Sequence, residues 1–263
     1  MKLNLFDRRA LLFLPASNPR AIDKARNSDA DLVILDLEDA VKPADKASAR
    51  DAAVAAVAGH WPMPVAIRIN GVGTPEHAAD LAAVAAARCD LVVLPQVRSV
   101  EEVRAINLRM PLAAMIETAA GVIAAPGIAQ HCAALIAGTN DLSANLRLPA
   151  IDRSALVYAL QSIVVAARAA GIAVFDGVYN AIDDAAGFAA EAAQSRALGF
   201  DGKSLIHPNQ IALCHAAFAP SAAELARAER LVAAATGGAE RFEGAMIEAM
   251  HVDAAKRLLA RTR

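Results

Sequence analysis

The sequence predicts a single (β/α)8 TIM barrel with extra C-terminal helices, on three observations. Eight short apolar runs alternate with longer alanine-rich stretches, the order of a parallel sheet with crossover helices. Runs such as LVIL (32–35) and LVVL (91–94) are continuously apolar, as strands covered on both faces are. The 263 residues are 56% hydrophobic but only 4% aromatic, which suits small side chains that let helices pack closely on a sheet, and no low-complexity linker divides them.

The expected strands are 10–14, 32–35, 65–69, 91–94, 112–116, 134–137, 172–175 and 202–205. The first ends at Pro15, and Asn18-Pro19 reads as a helix cap followed by a first-turn proline. Stretches 46–58, 75–88 and 182–198 carry spaced polar residues, as helices facing solvent do. After the eighth strand come helices expected at 208–218 and 221–235, a loop GGAERFEG, and a last helix at 245–261. The expected division is therefore a barrel over 1–220 and a helical extension over 221–263 that packs on the barrel or on a neighbouring subunit.

Composition removes several function classes. A net charge of -2 without a basic patch argues against nucleic acid as a partner. Arg8-Arg9 before an apolar run superficially resembles an export signal, but that run is only a strand's length, and no segment approaches membrane-spanning length. Cys89, Cys132 and Cys214 are an odd number without metal spacing, so they read as buried thiols in a reducing, cytoplasmic setting. Dinucleotide, P-loop, nucleophile-elbow and HExxH motifs are all missing from the sequence.

Chemistry in such barrels gathers at the C-terminal ends of the strands. Those ends carry Asp36, Glu38 and Asp39; Arg68 and Asn70; Gln96; Glu117; Asp141; Asp176; and Lys203 with His207. Glu117 closes the apolar run PLAAMI and Asp141 follows the next strand. Neighbouring parallel strands lie about 5 Å apart, so both carboxylates can reach one hard divalent cation. Each can instead serve as a helix N-terminal acid. Arg68 either holds a substrate carboxylate or developing oxyanion, or is paired with Asp36 or Glu38. Strand alternation puts Asp36 and Glu38 on one side and turns Asp39 away. The acidic triplet can hold Arg68, bind metal-coordinated water or orient Lys46. Lys203 meets a carboxylate or a substrate phosphate, and His207 reads as a structural hydrogen-bonding residue. Two carboxylates, a cation and an arginine suit polarising a 2-oxo or 2-hydroxy acid.

The segments LLFLPASNPRAIDKA, DLVILDLEDAVKPADKASAR, IRIN, MIETAAGV, GTNDLSANL and GFDGKSLIHPNQI, in order over residues 9–210, resemble the citrate lyase β-subunit-like branch of the HpcH/HpaI aldolase superfamily. The resemblance implies Mg2+ or Mn2+ on Glu117 and Asp141, and an acyl-CoA thioester or 2-oxo acid substrate. It implies Arg68 as a substrate contact and an acid/base role at the position of Glu248. With the strand-end residues, the catalytic candidates are Arg68, Asp36, Glu38 and Glu248 and the substrate contacts Arg68, Lys46, Gln96 and Asn70, the base being either Glu248 of a neighbour or one of the Asp36–Asp39 cluster. It also implies a homotrimer or trimer-based assembly whose C-terminal segments approach a neighbour's site, with an acyl-carrier subunit as a possible partner. The activity implied is carbon-carbon cleavage of citramalyl-, malyl- or citryl-type thioesters to acetyl-CoA and an oxo acid. Pyruvate-type aldol cleavage of a free hydroxy-oxo acid, malyl-type thioester hydrolysis and non-catalytic CoA-ester binding are the alternatives. Three positions depart from the family pattern: Gln96 where a lysine is common, Ala16 where a glycine is common, and Glu248-Ala249 where Asp-Pro is common.

Overall fold

Along each strand, alternate side chains sort into two apolar cores, and this parity decides which residues can reach the mouth of the barrel. The computed structural model describes residues 3–260. Its strands are β1 (Ala10–Pro15), β2 (Leu32–Asp36), β3 (Val65–Arg68), β4 (Leu91–Leu94), β5 (Leu112–Ile116), β6 (Ala134–Ala137), β7 (Ala173–Asp176) and β8 (Gly202–Leu205). They pair in parallel in chain order, and β8 returns to β1 with Leu11 opposite Ser204, closing the cylinder. Every expected strand is present, with its ends within one residue of expectation.

Leu11, Ile34, Ala66, Val93, Ala113, Ile136 and Phe175 belong to the core inside the barrel. Their neighbours Leu12, Leu35, Ile67, Leu94, Ala114, Leu135 and Val174 belong to the core between the sheet and its helices. That ring comprises α1 (Pro19–Ala25), α2 (Lys46–Ala58), α3 (His77–Ala86), α4 (Val100–Ala105), α5 (Ala119–Ala129), α6 (Thr139–Asn145), α7 (Arg153–Ala170), α8 (Ala185–Leu198) and α9 (Gln210–Phe218). Caps set the helix starts: Asn18, Ser99, Thr118, Asp152 and Asp184 each accept a first-turn backbone N–H on their side chain. The three cysteines are free thiols, and burial pushes Cys89 up to about 11 and Cys132 and Cys214 up to about 12, so none is poised as a nucleophile. Among the described residues no helix is long and apolar enough to cross a membrane.

The chain divides into Met1–Phe218 and Ala219–Arg263. The second unit is not purely helical. Between α10 (Ala222–Ala234) and α11 (Ala249–Ala260) the expected loop and helix start form an antiparallel hairpin, β9 (Glu240–Phe242) with β10 (Ala245–Ile247). Glu243 and Gly244 supply φ values of 48° and 85°, the two left-handed residues that a two-residue hairpin turn requires. The last helix thus starts at Ala249 instead of 245, and its expected final residue, 261, lies outside the described residues. Ala228, Leu231, Ile247 and Ala255 form this unit's own small core.

Candidate active site

Continuing the inward parity past the apolar layer places Asp36 two residues after Ile34, Arg68 two after Ala66, and Glu117 two after Met115, all at the C-terminal mouth. Asp36 and Arg68 are register partners on β2 and β3. Arg68 Nε donates to Asp36 Oδ1 at 2.7 Å and Nη2 to Oδ2 at 2.6 Å, a bidentate pair in which Asp36 is 1% and Arg68 9% exposed. Asp36 also accepts the backbone N–H of Glu38 at 2.8 Å and of Ala40 at 3.0 Å, which fastens the turn after β2. Arg68 Nη1 lies 2.8 Å from Glu38 Oε2, an ion-pair distance without hydrogen-bond alignment, and this buried oxygen accepts no hydrogen bond. The guanidinium stands 5.1 Å above the Phe13 ring.

Beside this pair opens a cavity of about 360 Å³, lined by Phe13, Asp36, Asp39, Arg68, Met115, Glu117, Gly138, Asn140, Asp141, Asn180 and Ser204 among others. Glu117 is 2% exposed and its Oε1 accepts the Gln96 backbone N–H at 2.6 Å. Asp141 stands in the first turn of α6, half-buried at the same mouth. The glycine ahead of that helix is dictated by Glu117: a Cβ at Gly138 would overlap the Glu117 side chain, its Cδ included at 3.0 Å. Gly138→Ala is therefore expected to cost about 1–3 kcal/mol as an overpacked core change, measured by urea denaturation, and to displace the Glu117 carboxylate.

Several expected site residues stand behind the cavity instead of lining it. Lys46 Nζ donates to Leu37 O (2.7 Å), Glu38 O (2.6 Å) and Asn70 Oδ1 (2.7 Å), which uses all three of its protons. Asn70 Nδ2 donates to Leu37 O at 3.0 Å and to the fully buried Asp80 at 2.6 Å, and Asp80 also takes Arg50 Nε at 2.6 Å. Lys46 and Asn70, expected to contact substrate, thus form a brace that holds the turn carrying Glu38. Asp176 and Lys203 have the outward parity of Val174 and Leu205. Lys203, 0% exposed, pairs with Asp176 at 2.9 Å and Glu191 at 2.7 Å and donates to Gly177 O, while Arg153 reaches Asp176 at 3.0 Å. That balanced buried cluster occupies the helix side of the sheet and leaves Lys203 no substrate role. His207 Nδ1 accepts the Asn209 N–H at 3.2 Å, a structural contact as expected. Glu248 lies in the second unit just ahead of α11, where its backbone N–H donates to His251 Nδ1 at 3.0 Å.

Asp39 is a correction in the other direction. Alternation turned it away, but the strand ends at Asp36 and a turn closed by Val41 N–H to Glu38 O brings Asp39 to the cavity. Asn140 and Asn180 were not expected either. They exchange two amide hydrogen bonds, at 3.2 and 2.8 Å, across the loops after β6 and β7. The GTND segment is the sequence signal that could have flagged Asn140. Ser204, inward on β8 and 1% exposed, lines the cavity with a hydroxyl that has no hydrogen-bond partner.

Electrostatics at the mouth are unbalanced. Asp36, Glu38, Asp39, Glu117 and Asp141 act on one another, while Arg68 is the guanidinium that faces them. Burial, offset in part by Arg68 and reinforced by Asp39, Glu117 and Asp36, pushes Glu38 up to about 8. Burial, eased by the Gln96 N–H and reinforced by Asp141, pushes Glu117 up to about 7. Burial and Asp39 raise Asp141. Burial opposes the charge on Arg68, but Asp36 and Glu38 outweigh it and hold the guanidinium above its ordinary range. Among the described residues no group of three His, Cys, Asp or Glu side chains forms a ready metal cage. The donor set nevertheless fits a hard divalent cation: two oxygen donors, Glu117 and Asp141, on adjacent β/α units in a surplus of negative charge.

The family model described as HpcH/HpaI aldolase/citrate lyase matches residues 9–208. The chain is similar to a (3S)-malyl-CoA thioesterase of Cereibacter sphaeroides, with 39% identity over 267 residues covering 96% of this chain and 94% of the relative. It is similar to the citrate lyase subunit beta of Leuconostoc mesenteroides subsp. cremoris, with 34% identity over 90% of this chain and 85% of that one. Among solved structures, protein CitE of Mycobacterium tuberculosis in complex with magnesium, acetoacetate and coenzyme A superposes with a TM-score of 0.88 and 34% identity, covering 98% of this chain and 99% of that one. An eight-stranded barrel with an acid-rich mouth, matched by the family model over most of its length, places this chain in the HpcH/HpaI aldolase/citrate lyase family, on its citrate lyase β-subunit-like branch.

Proposed function

We propose that this chain is a Mg2+-dependent enzyme that cleaves, or in reverse forms, the carbon-carbon bond of a 3-hydroxy-acyl-CoA thioester of the malyl, citramalyl or citryl type. The observation that carries this reading is the pair Glu117 and Asp141 beside the Arg68 guanidinium in one cavity. Glu117 and Asp141 would hold the cation, Mg2+ or Mn2+. When bound, it supplies charge that polarises the oxygens of the acid end of the substrate. Arg68, rigidly aimed by Asp36, stabilises negative charge as it develops on oxygen. Asp36 is not free to act as a base, because its two oxygens already accept four hydrogen bonds. The proton acceptor is then Glu38, whose buried Oε2 is ion-paired with Arg68 at 2.8 Å and which stands behind the cavity, or Asp39, which lines it, or Glu248 from a neighbouring subunit of a trimer. The hydroxyl proton passes to a carboxylate, and the bond between the hydroxyl-bearing carbon and the thioester α-carbon breaks. The former becomes the oxo group of the acid. The electron pair moves onto the thioester as an enolate, whose protonation gives the acyl-CoA product.

Thioester hydrolysis is the second reading, favoured by the relatives named (3S)-malyl-CoA thioesterase at 38–39% identity. One assay separates the two. With malyl-CoA and Mg2+, lyase activity yields glyoxylate without a free thiol, whereas hydrolysis yields a free CoA thiol without glyoxylate. Absence of both products with malyl-, citramalyl- and citryl-CoA would overturn the enzymatic reading.

Because Glu117 and Glu38 have raised pKa values, ionising them costs stability in the metal-free protein. Their contribution is intact below about pH 4.5 and is lost as pH rises toward about 7 and 8. A cation that binds the ionised form reverses this cost. The melting temperature of the metal-free protein is therefore expected to fall between pH 5 and 8, and the increment added by Mg2+ to grow over the same interval, as scanning calorimetry with and without Mg2+ would record. An increment that shrinks with rising pH would contradict the ligand assignment.

A further inference from the structure

The backbone of this chain adopts a left-handed conformation at three described non-glycine residues, Gln96, Arg147 and Glu243. Two have local reasons. Arg147 follows the C-cap of α6, and Glu243 is the first residue of a two-residue hairpin turn. Gln96, at φ 54°, follows β4 after Pro95 and closes neither a helix nor a hairpin. Such a conformation costs a residue with a Cβ on the order of 1 kcal/mol, so it persists where the surroundings enforce it. What it achieves is visible. The Gln96 N–H is turned onto Glu117 Oε1 at 2.6 Å, and the Gln96 amide side chain helps to hold the Asp141 carboxyl down against the burial that raises it. The same residue therefore binds Glu117 directly and acts on Asp141 of the adjacent β/α unit, while the other Glu117 oxygen, Oε2, is packed toward the Gly138 Cα that precedes Asp141's helix.

We infer that Gln96 is a positioning residue that uses its left-handed backbone amide and its side chain to hold Glu117 and Asp141 in the arrangement that binds the divalent cation. This rests on the proposed metal role of those two acids. A substrate contact, the role that sequence suggested for Gln96, is not needed: Gln96 itself does not line the cavity, whereas both of its carboxylate partners do.

The test is Mg2+ affinity by calorimetric titration of the purified protein without substrate, alongside thermal stability, for wild type, Gln96→Ala, Gln96→Gly and Glu117→Gln. Gln96→Ala removes the side-chain tether and keeps the strained backbone. Gln96→Gly also relaxes the backbone, since glycine adopts positive φ freely. Removing partners that orient metal ligands typically weakens affinity by about 10- to 100-fold, so Gln96→Gly is expected to raise the Mg2+ dissociation constant about 10-fold, and Gln96→Ala by less. Thermal stability of Gln96→Gly is expected to stay level or rise, because strain is relieved. A residue that merely shapes the loop would show the stability change with no change in affinity, and Gln96→Gly binding Mg2+ as tightly as wild type overturns the inference. Wild type that binds no Mg2+, or Glu117→Gln that binds it undiminished, overturns the metal assignment itself and the inference with it.

Discussion

Glu117→Gln is expected to abolish Mg2+ binding and lower kcat/KM by about three orders of magnitude or more, while the barrel stays folded. The amide keeps the size of the side chain and an oxygen that can still accept the Gln96 N–H, so the loop after β4 loses no partner. What disappears is the charge that a hard cation needs, in a position 2% exposed where water cannot substitute. The variant is also expected to be more stable than metal-free wild type at pH 8, because an ionised carboxylate pushed up to about 7 no longer has to be accommodated. Calorimetric titration with Mg2+, denaturation at pH 8 and turnover of malyl-CoA test the three parts. Undiminished metal-dependent turnover would remove Glu117 from the ligand set, whatever the stability measurement gave.

Arg68→Met is expected to destabilise the fold by about 3–5 kcal/mol and to abolish turnover as well, since it leaves buried Asp36 without its bidentate partner. The magnitude follows from removing one partner of a buried pair, where the cost is dominated by the carboxylate left behind. Arg68→Lys keeps the charge but not the planar fork that meets Asp36 at 2.7 and 2.6 Å, so it is expected to recover part of the stability and little of the activity. Chemical denaturation of the three proteins with Mg2+ absent isolates the pair from any metal effect. A loss of less than about 1 kcal/mol for Arg68→Met would mean that Asp36 is satisfied by the Glu38 and Ala40 amides alone.

Much of the site was legible because it sits on regular strands. Asp36, Arg68 and Glu117 each continue an alternation that runs through an apolar strand, so the face they occupy follows from counting. Asp39 was misplaced by the same counting, since the strand had already ended and the turn closed by Val41 and Glu38 set its direction. Asn70, just past the end of β3, and Lys46, at the start of α2, are polar residues on the mouth side of the strands, which resemble substrate contacts in sequence. Their donors and acceptors prove to be absorbed by Leu37, Glu38 and Asp80, one of which lies on α3, and no local pattern announces those partners. The hairpin in the second unit was hidden for a related reason: Glu243-Gly244 is a weaker turn signal than Asn-Gly, and the flanking strands span only three residues each.

Sequence alone determined the eight-stranded barrel, the two acids closing successive strands and the arginine inside the third, because apolar periodicity and its interruption by charge are local properties of the chain. Tertiary structure decided which polar groups are engaged by protein and which are left facing the cavity. It also decided that Gln96 would adopt a backbone conformation unfavourable for its residue type. Those outcomes depend on loops from different β/α units meeting at one end of the cylinder, where hydrogen-bond demand is settled between residues that no local pattern pairs, such as Gln96 and Glu117, 21 positions apart.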